Sequence, residues 1–317
     1  MPRTYEHING YEREVIAQML KEQSGWAAIG RHLGRSASTI YREYHRNRDK
    51  EGYRPRWADS QAAARRRVAR RPRLIVGAVR RRVRRSLRRY WSPDQIEGRG
   101  RLDGQEPLGF MTIYRYLESP DGIGYRKYLR GPSKRRRHNR KTRERIHNRV
   151  MIDQRPKEVD ARKQPGHWEG DTVRGPMKSA TCLMTLVDRT SQFLVSRLLA
   201  ERTGEALNRS AHRAMKHLPF ETLTVDNGME FASHKKLEEL AGVSVYFAHE
   251  KSPWERGLNE QVNGLIRQFF PKGTDFSKVS PAQLRRAVML LNERPRKSLG
   301  YITPSEVMRS SGFALVK

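Results

Sequence analysis

The sequence predicts a multidomain chain, α-helical through its N-terminal part and mixed-sheet α/β through its second half. Three observations carry that expectation. Apolar residues recur at helical spacing over the N-terminal third, interrupted by short Gly- and Ser-containing turns. From His167 onward, short apolar and β-branched runs alternate with helical patterns. Between the two lies a strongly basic stretch with little acidic residue. A chain of 317 residues has room for two or three domains. The expected divisions are 1–50, 51–130, a basic linker over 131–160, and 161–317.

Lys and Arg number 65 against 34 Asp and Glu, a formal net charge of +31. Self-repulsion on that scale is relieved by a polyanion, so nucleic acid is the expected partner. An anionic membrane surface is the weaker alternative: no apolar stretch is long enough to span a bilayer and the N-terminus lacks an apolar signal core. Cys182 is the only cysteine, which excludes an intrachain disulfide and a multi-cysteine zinc site. A cytoplasmic, nucleoid-associated protein fits this usage.

The first elements form a three-helix unit over about residues 11–46. Val15, Ile16, Met19 and Leu20 share a helical face, and Ser24-Gly25 stops that helix. Trp26 to Leu33 is a second helix with Ile29 and Leu33 inward. Gly34-Arg35-Ser36 makes a tight turn, with Ser36 placed to cap a third helix from about Ala37 to Arg46. Two helices joined this way form a helix-turn-helix. Arg35 in the turn, and Ser38, Thr39, Arg42, Glu43 and Arg46 on the outward face, are the expected DNA contacts.

Ala62 to Arg89 contains no acidic residue. Pro72 is placed to begin a helix, and Val76, Val79, Val83, Leu87 and Tyr90 recur at spacings of three and four. A basic amphipathic helix follows, its apolar stripe on protein and Arg80, Arg81, Arg82, Arg84, Arg85, Arg88 and Arg89 turned to phosphates. Ser92-Pro93-Asp94-Gln95 is a capping box that starts the next helix. Phe110 to Leu117 is a further helix, with Ile113 and Leu117 inward and Thr112 and Arg115 outward, so a second helix-turn-helix is expected. The basic cluster Lys134, Arg135, Arg136 and Arg137 belongs to a linker that can order on DNA.

Beyond it, strands are expected over 167–173, 180–188 and 192–199, a helix over 203–218, a strand over 222–225, a helix over 233–241 and a strand over 243–248. Three antiparallel strands followed by helix, strand, helix, strand is the order of an RNase H-like domain. Helices over 258–270 and about 281–292 follow, and the capping box Thr303-Pro304-Ser305-Glu306 starts a short C-terminal turn.

In that topology the first and fourth strands are central neighbours, so Asp171 and Asp226 converge. The helix bearing Glu260 buries Val262, Leu265, Ile266 and Phe269 on the sheet and turns Glu260 to the aspartates. Three carboxylates this close repel unless cations neutralise them. Oxygen-only ligands select Mg²⁺ or Mn²⁺, and two such ions activate an attacking water or 3′-hydroxyl and stabilise the leaving oxygen. As single residues, Asp226-Asn227-Gly228 also reads as a turn and Glu260 as a solvated helix position. Glu169, on the same strand face as Asp171, is the main competitor, followed by Asp188, Glu230 and Glu255. A recombinase with a covalent Tyr nucleophile, Tyr114 or Tyr301, is the competing class, and no local constellation supports it.

The segments Gly166 to Val173, Thr224 to Gly228, Ser252 to Lys272 and Leu291 to Pro304 resemble signature blocks of DDE transposases of the insertion-sequence-thirty family. The resemblance extends over Ile29 to Asn47 and Trp91 to Leu117, nearly the whole chain. Its most specific runs are Asn259 to Gln268 with Phe270 to Gly273, and Asn292 to Gly300. It departs from the pattern at Gly109, where the family commonly has a Ser cap. The resemblance implies an RNase H-like core, a triad on Asp171, Asp226 and Glu260, dependence on Mg²⁺ with Mn²⁺ as a substitute, recognition of terminal inverted repeats and a circular or joined-end intermediate. Beside the triad, Arg267 is expected at a phosphate near the scissile bond, and Asn259 and Asn263 on DNA or orienting Glu260. Trp254 is expected either to stack on a base or to pack on the core. Arg294, Arg296 and Lys297 are expected on backbone phosphates.

The function expected from all this is a DNA transposase that binds its element's ends, cleaves a strand and transfers the 3′-hydroxyl. Its partners are double-stranded DNA, both element ends and target, and a second copy of itself in a homodimer or larger assembly. A catalytically inactive helix-turn-helix regulator and a structure-specific nuclease of the same fold are the alternatives.

Overall fold

The computed structural model describes residues 6–69, 75–131, 146–176, 179–250 and 252–313. They fall into two compact units that divide at 73/74. The first holds four helices: α1 (Gly10–Lys21), α2 (Trp26–Leu33), α3 (Ala37–Asn47) and α4 (Pro55–Ala69). Asn9 and Glu12 close a capping box on α1. Gly34 ends α2 in the left-handed conformation that the tight turn requires. Ser36 then accepts from the Thr39 N–H and caps α3. Ile8, Ile16, Ile29 and Ile40 form the small core, with Met19, Leu20, Trp26 and Leu33 around it.

The second unit begins with α5 (Gly77–Arg88), α6 (Pro93–Leu102) and α7 (Phe110–Glu118) around a core of Ile75, Val83, Leu87, Ile96, Leu108, Ile113, Tyr116 and Leu117. The basic amphipathic helix therefore exists, but it is shorter than its apolar spacing suggested. Val76 is its exposed N-cap residue and Tyr90 lies past its end at φ +63°. Pro72 lies outside the described residues. Most of the arginines assigned to phosphate are engaged within the protein. Arg80 and Arg84 pair with Asp121, and Arg82 donates to Gln105 and Glu106. Arg88 donates to Tyr125 and Arg89 pairs with Glu293. Only Arg81 and Arg85, among the described residues, show no such partner, because the packed neighbours of α5 supply acceptors that a lone helix lacks.

The rest is a six-stranded sheet with helices on both faces. Its elements are β1 (Val150–Met151), α8 (Glu158–Ala161), β2 (His167–Arg174), β3 (Cys182–Asp188), β4 (Leu194–Leu199), α9 (Gly204–Met215), β5 (Thr222–Val225), α10 (His234–Ala241), β6 (Ser244–Phe247), α11 (Gly257–Ile266), α12 (Pro281–Asn292) and α13 (Pro304–Ser310). The strand order is β1-β6-β5-β2-β3-β4, with β2, β3 and β4 antiparallel and β2, β5, β6 and β1 parallel. The expected strand pairing at the sheet centre is present, β2 beside β5. Sequence periodicity missed α4, the short α8 and the short edge strand β1, the last two inside the stretch expected to be linker.

Side chains alternate between two cores, as the pleat demands. Trp168, Met184, Leu186, Leu223 and Val225 pack under α9 and α10. Val173, Leu183 and Val187 pack under α11 and α12, against Val262, Leu265, Ile266, Leu284 and Leu291. The α5–α7 unit docks onto α13 and onto the end of α11. Arg99 makes a two-pronged pair with Glu306 (2.7 and 2.8 Å), and Gln268 donates to the Tyr128 carbonyl (2.9 Å). A Cβ on Gly98 would sit 2.3 Å from the Tyr301 ring, so the absence of a side chain there permits the contact.

Candidate active site

The site grows from the parallel pairing of β2 and β5. His167 pairs with Thr222 and Glu169 with Thr224. Continuing that register two residues sets Asp171 beside Asp226, which follows directly on β5. Odd-numbered residues of β2 face the α11 layer, as Val173 does, so Asp171 points toward α11. Asn263 on that helix donates Nδ2–H to Asp171 Oδ2 (2.7 Å), and the Thr172 N–H donates to Oδ1 (2.7 Å). Burial pushes the Asp171 carboxyl up to about 6; the nearby Arg256 charge opposes that shift, while Asp226 and Glu230 add to it.

Asp226 serves partly as the turn former its sequence suggested: the Gly228 N–H donates to Oδ1 (2.9 Å). Oδ2 faces Arg256 Nη2 at 3.4 Å, and Nη1 of the same guanidinium donates to the Gly170 carbonyl (3.1 Å). Arg256 thus ties the start of α11 to the two central strands. Glu230 is a fourth carboxylate here, 4% exposed, accepting from Thr172 Oγ1 at 2.5 Å. Its Oε2 accepts no hydrogen bond, with Arg202 Nε 3.6 Å away. A Cβ on Gly228 would fall 2.7 Å from Glu230 Cδ and 2.8 Å from Asp226 Oδ1, so a side chain there would displace these two carboxylates from their places beside the turn.

Glu260 is on α11, one helical turn after Arg256, and its side chain is exposed. The structure brings Asp171, Asp226, Asn263, Arg256 and Glu230 together and leaves Glu260 at the rim. Among the described residues no three of His, Cys, Asp and Glu are arranged to hold a metal ion in common. Glu169 is no longer a competitor. It is 1% exposed and paired with Arg189 (3.1 Å), and it accepts from the Asn259 N–H (3.0 Å). Asp188 caps its own turn through Thr190 and Ser191, and Glu255 holds His249.

Several expected DNA contacts need correction. Glu43 is not offered to solvent partners but accepts from Arg13 (2.8 Å), because the buried Arg13 needs an acid. Asn259 is buried under Glu169 and reaches neither DNA nor Glu260. Arg294 and Arg296, 3% and 4% exposed, cannot lie along the backbone of an intact duplex. Packing of the α5–α7 helices over the Asn292 to Gly300 segment covers them, which a linear reading does not show. Arg267 is half-buried and donates to the carbonyls of Arg174 and Pro271. Arg35 pairs with Glu12 at 2.9 Å. Ser38, Arg42, Arg46, Arg115 and Lys297 are exposed, Thr39 and Thr112 are half-buried, and Trp254 is 75% exposed. Lys134, Arg135 and Arg136 lie outside the described residues. Arg256 was missed; its only sequence signal is a lone cation four residues ahead of Glu260.

Comparison with known proteins gives these features a family. The helix-turn-helix domain family matches residues 4–47 and the integrase core domain family matches residues 161–253. The transposase for insertion sequence element IS4351 of Bacteroides fragilis is 36% identical over 95% of this chain and 95% of its own length. Transposase InsI for insertion sequence element IS30C of Escherichia coli (strain K12) is 36% identical over 99% of this chain and 86% of its own. Among solved structures, the catalytic core domain of BIV integrase is 19% identical, covering 46% of this chain and 94% of that one, with a TM-score of 0.38. With relatives this similar over nearly its full length, the chain belongs to the IS30 family of insertion-sequence transposases, DNA-binding enzymes that join a helix-turn-helix to an integrase catalytic core.

Proposed function

We propose that this transposase binds the terminal inverted repeats of its element through α2 and α3, hydrolyses a phosphodiester at the element end and transfers the freed 3′-hydroxyl to a second strand. Asp171, Asp226 and Glu260 are the carboxylates of the reaction. The observation that carries this reading is the β2–β5 register, which aligns Asp171 with Asp226 under the helix that bears Glu260. Synapsis of two ends calls for a homodimer or larger assembly.

The donor set fits a divalent cation. It is all oxygen, it gathers negative charge from the half-buried Asp171 and Asp226 and the buried Glu230, and it borrows an arginine as counter-charge. Asp171 and Asp226 would hold Mg²⁺ or Mn²⁺, joined by Glu260 from α11. When bound, a pair of such ions supplies activation of the attacking oxygen and stabilisation of the leaving one. The chain's own groups do the positioning. Asn263 fixes the Asp171 carboxylate in one rotamer, and the turn at Gly228 fixes Asp226. Arg256 and Arg267 set positive charge where a scissile phosphate approaches.

Asp226→Asn is expected to leave binding to labelled element-end duplex unchanged and to lower Mg²⁺-dependent cleavage by roughly a thousandfold or more. Cleavage at the wild-type rate would remove Asp226 from the site. Chelator should abolish nicked and joined products while the protein–DNA complex persists on a gel.

A further inference from the structure

A cavity of about 470 Å³ lies where the α5–α7 helices meet the catalytic layer. Its wall includes four cations, Arg130, Arg294, Arg296 and Lys297, and no Asp or Glu. Arg294 and Arg296 are more than nine-tenths buried. Buried guanidinium groups normally meet a carboxylate, because an uncompensated charge out of water is costly. Here they meet only neutral acceptors: Arg294 Nη2–H donates to Gln268 Oε1 (2.9 Å) and Arg296 Nη2–H to the Leu291 carbonyl (3.2 Å). Burial lowers Arg294 to about 9, with Arg296 and Arg130 adding repulsion, and burial alone lowers Arg296 to about 10; both stay charged at neutral pH.

The unsatisfied groups around the cavity are all of one kind. Arg294 Nε, Arg296 Nε and Trp91 Nε1 are buried donors without an acceptor, and no unsatisfied acceptor borders the same wall. The rim carries aromatic rings as well. Tyr90 and Trp91 line it from the turn that ends α5, where Tyr90 takes the left-handed conformation and the Trp91 N–H donates to the Ser86 carbonyl (3.1 Å). Gln261, Leu265 and Gln268 line the wall from α11 and the turn after it, on roughly the opposite side of the helix from Asn259 and Asn263, so the cavity and the candidate active site lie on different sides of α11. The cavity's volume is enough for a single nucleotide.

We propose that this cavity binds one nucleotide of a DNA strand that has left the duplex, with Arg294, Arg296, Arg130 and Lys297 around its phosphate and Tyr90 or Trp91 against its base. The inference rests on the DNA-binding reading and extends it: a second site, across α11 from the candidate carboxylates, accepts unpaired DNA. Cations without carboxylates select the phosphate, and aromatic faces accept any base, so recognition is indifferent to sequence.

The test uses the full chain and arbitrary-sequence duplexes, blunt or with a three-nucleotide unpaired 3′ or 5′ tail. Wild type should bind one tailed duplex roughly tenfold tighter than the blunt one, the factor expected of a charge-assisted phosphate contact. A methylphosphonate at one linkage of the tail should erase that advantage. Arg294→Met should erase it too, and the exposed Lys297→Ala, which puts no packing at risk, should reduce it. A tail advantage that survives in both variants, or that no single neutral linkage disturbs, overturns the proposal. So does the absence of any tail advantage in wild type, including the case where inorganic phosphate raises the wild-type Tm but not that of Arg294→Met, which assigns the cavity to a free anion. Because the DNA carries no element sequence, these outcomes are independent of whether the protein recognises or cleaves element ends.

Discussion

Arg256 is the side chain whose removal tests the electrostatics of the site most directly. Its guanidinium stands against Asp226 and the Gly170 carbonyl, where it neutralises part of the acid charge that Asp171, Asp226 and Glu230 accumulate. A divalent cation entering beside Asp226 meets that positive charge. Coulomb repulsion over several ångströms at intermediate dielectric amounts to roughly 1–3 kcal/mol. Arg256→Ala should therefore bind Mn²⁺ on the order of tenfold more tightly in the absence of DNA, measured calorimetrically. Unchanged or weaker affinity would show that the guanidinium holds the site together rather than competing for it. At this scale the sequence supplied the acids and the asparagine beside them. It did not supply the partners: that the Asn263 side chain serves Asp171 while only the backbone N–H of Asn259 meets Glu169 follows from how α11 is seated on the sheet, which the packing of Val262, Leu265 and Ile266 decides.

At the scale of elements, local signals were strong where a cap or a turn fixed them. The boxes at Ser92, Ser280 and Thr303 begin α6, α12 and α13 as written in the chain. The end of α5 was not legible, because its apolar spacing runs on into Tyr90, which the structure uses on the rim of a cavity instead. Docking of α6 depends on Gly98. Gly98→Ala would place a methyl 2.3 Å from the Tyr301 ring, a clash with a rigid group. The expected cost is about 1–3 kcal/mol, read as a lowered urea midpoint. Tyr301→Ala in the same chain should recover part of it. If Gly98→Ala melts like wild type, α6 is not seated against Tyr301.

For the molecule as a whole, charge governs both partner and pH response. Glu306 joins α13 to α6 through Arg99, and that hydrogen bond, with the N–H and hydroxyl of Thr303, holds its carboxyl down at about 2 despite burial. A carboxyl whose folded value lies below its unfolded one stabilises the fold above the unfolded value, and that contribution is lost as pH falls through the folded one. The window is therefore about pH 4.5 down to 2. The pair is partly exposed and screened, so the loss should be about 1 kcal/mol. Glu306→Gln should flatten this part of the acid denaturation curve relative to wild type; parallel curves would show that Glu306 contributes nothing there. By itself the sequence determined the order of helices and strands from His167 onward, the polyanionic partner and the candidate acids. Periodicity, caps and net charge are local or summed properties, readable without coordinates. Only tertiary structure decided that Arg294 and Arg296 are buried, that Arg80 and Arg84 answer to Asp121, and that Glu230 lies beside Asp226. Those facts depend on which surfaces pack together, and chain segments distant in sequence make that choice jointly.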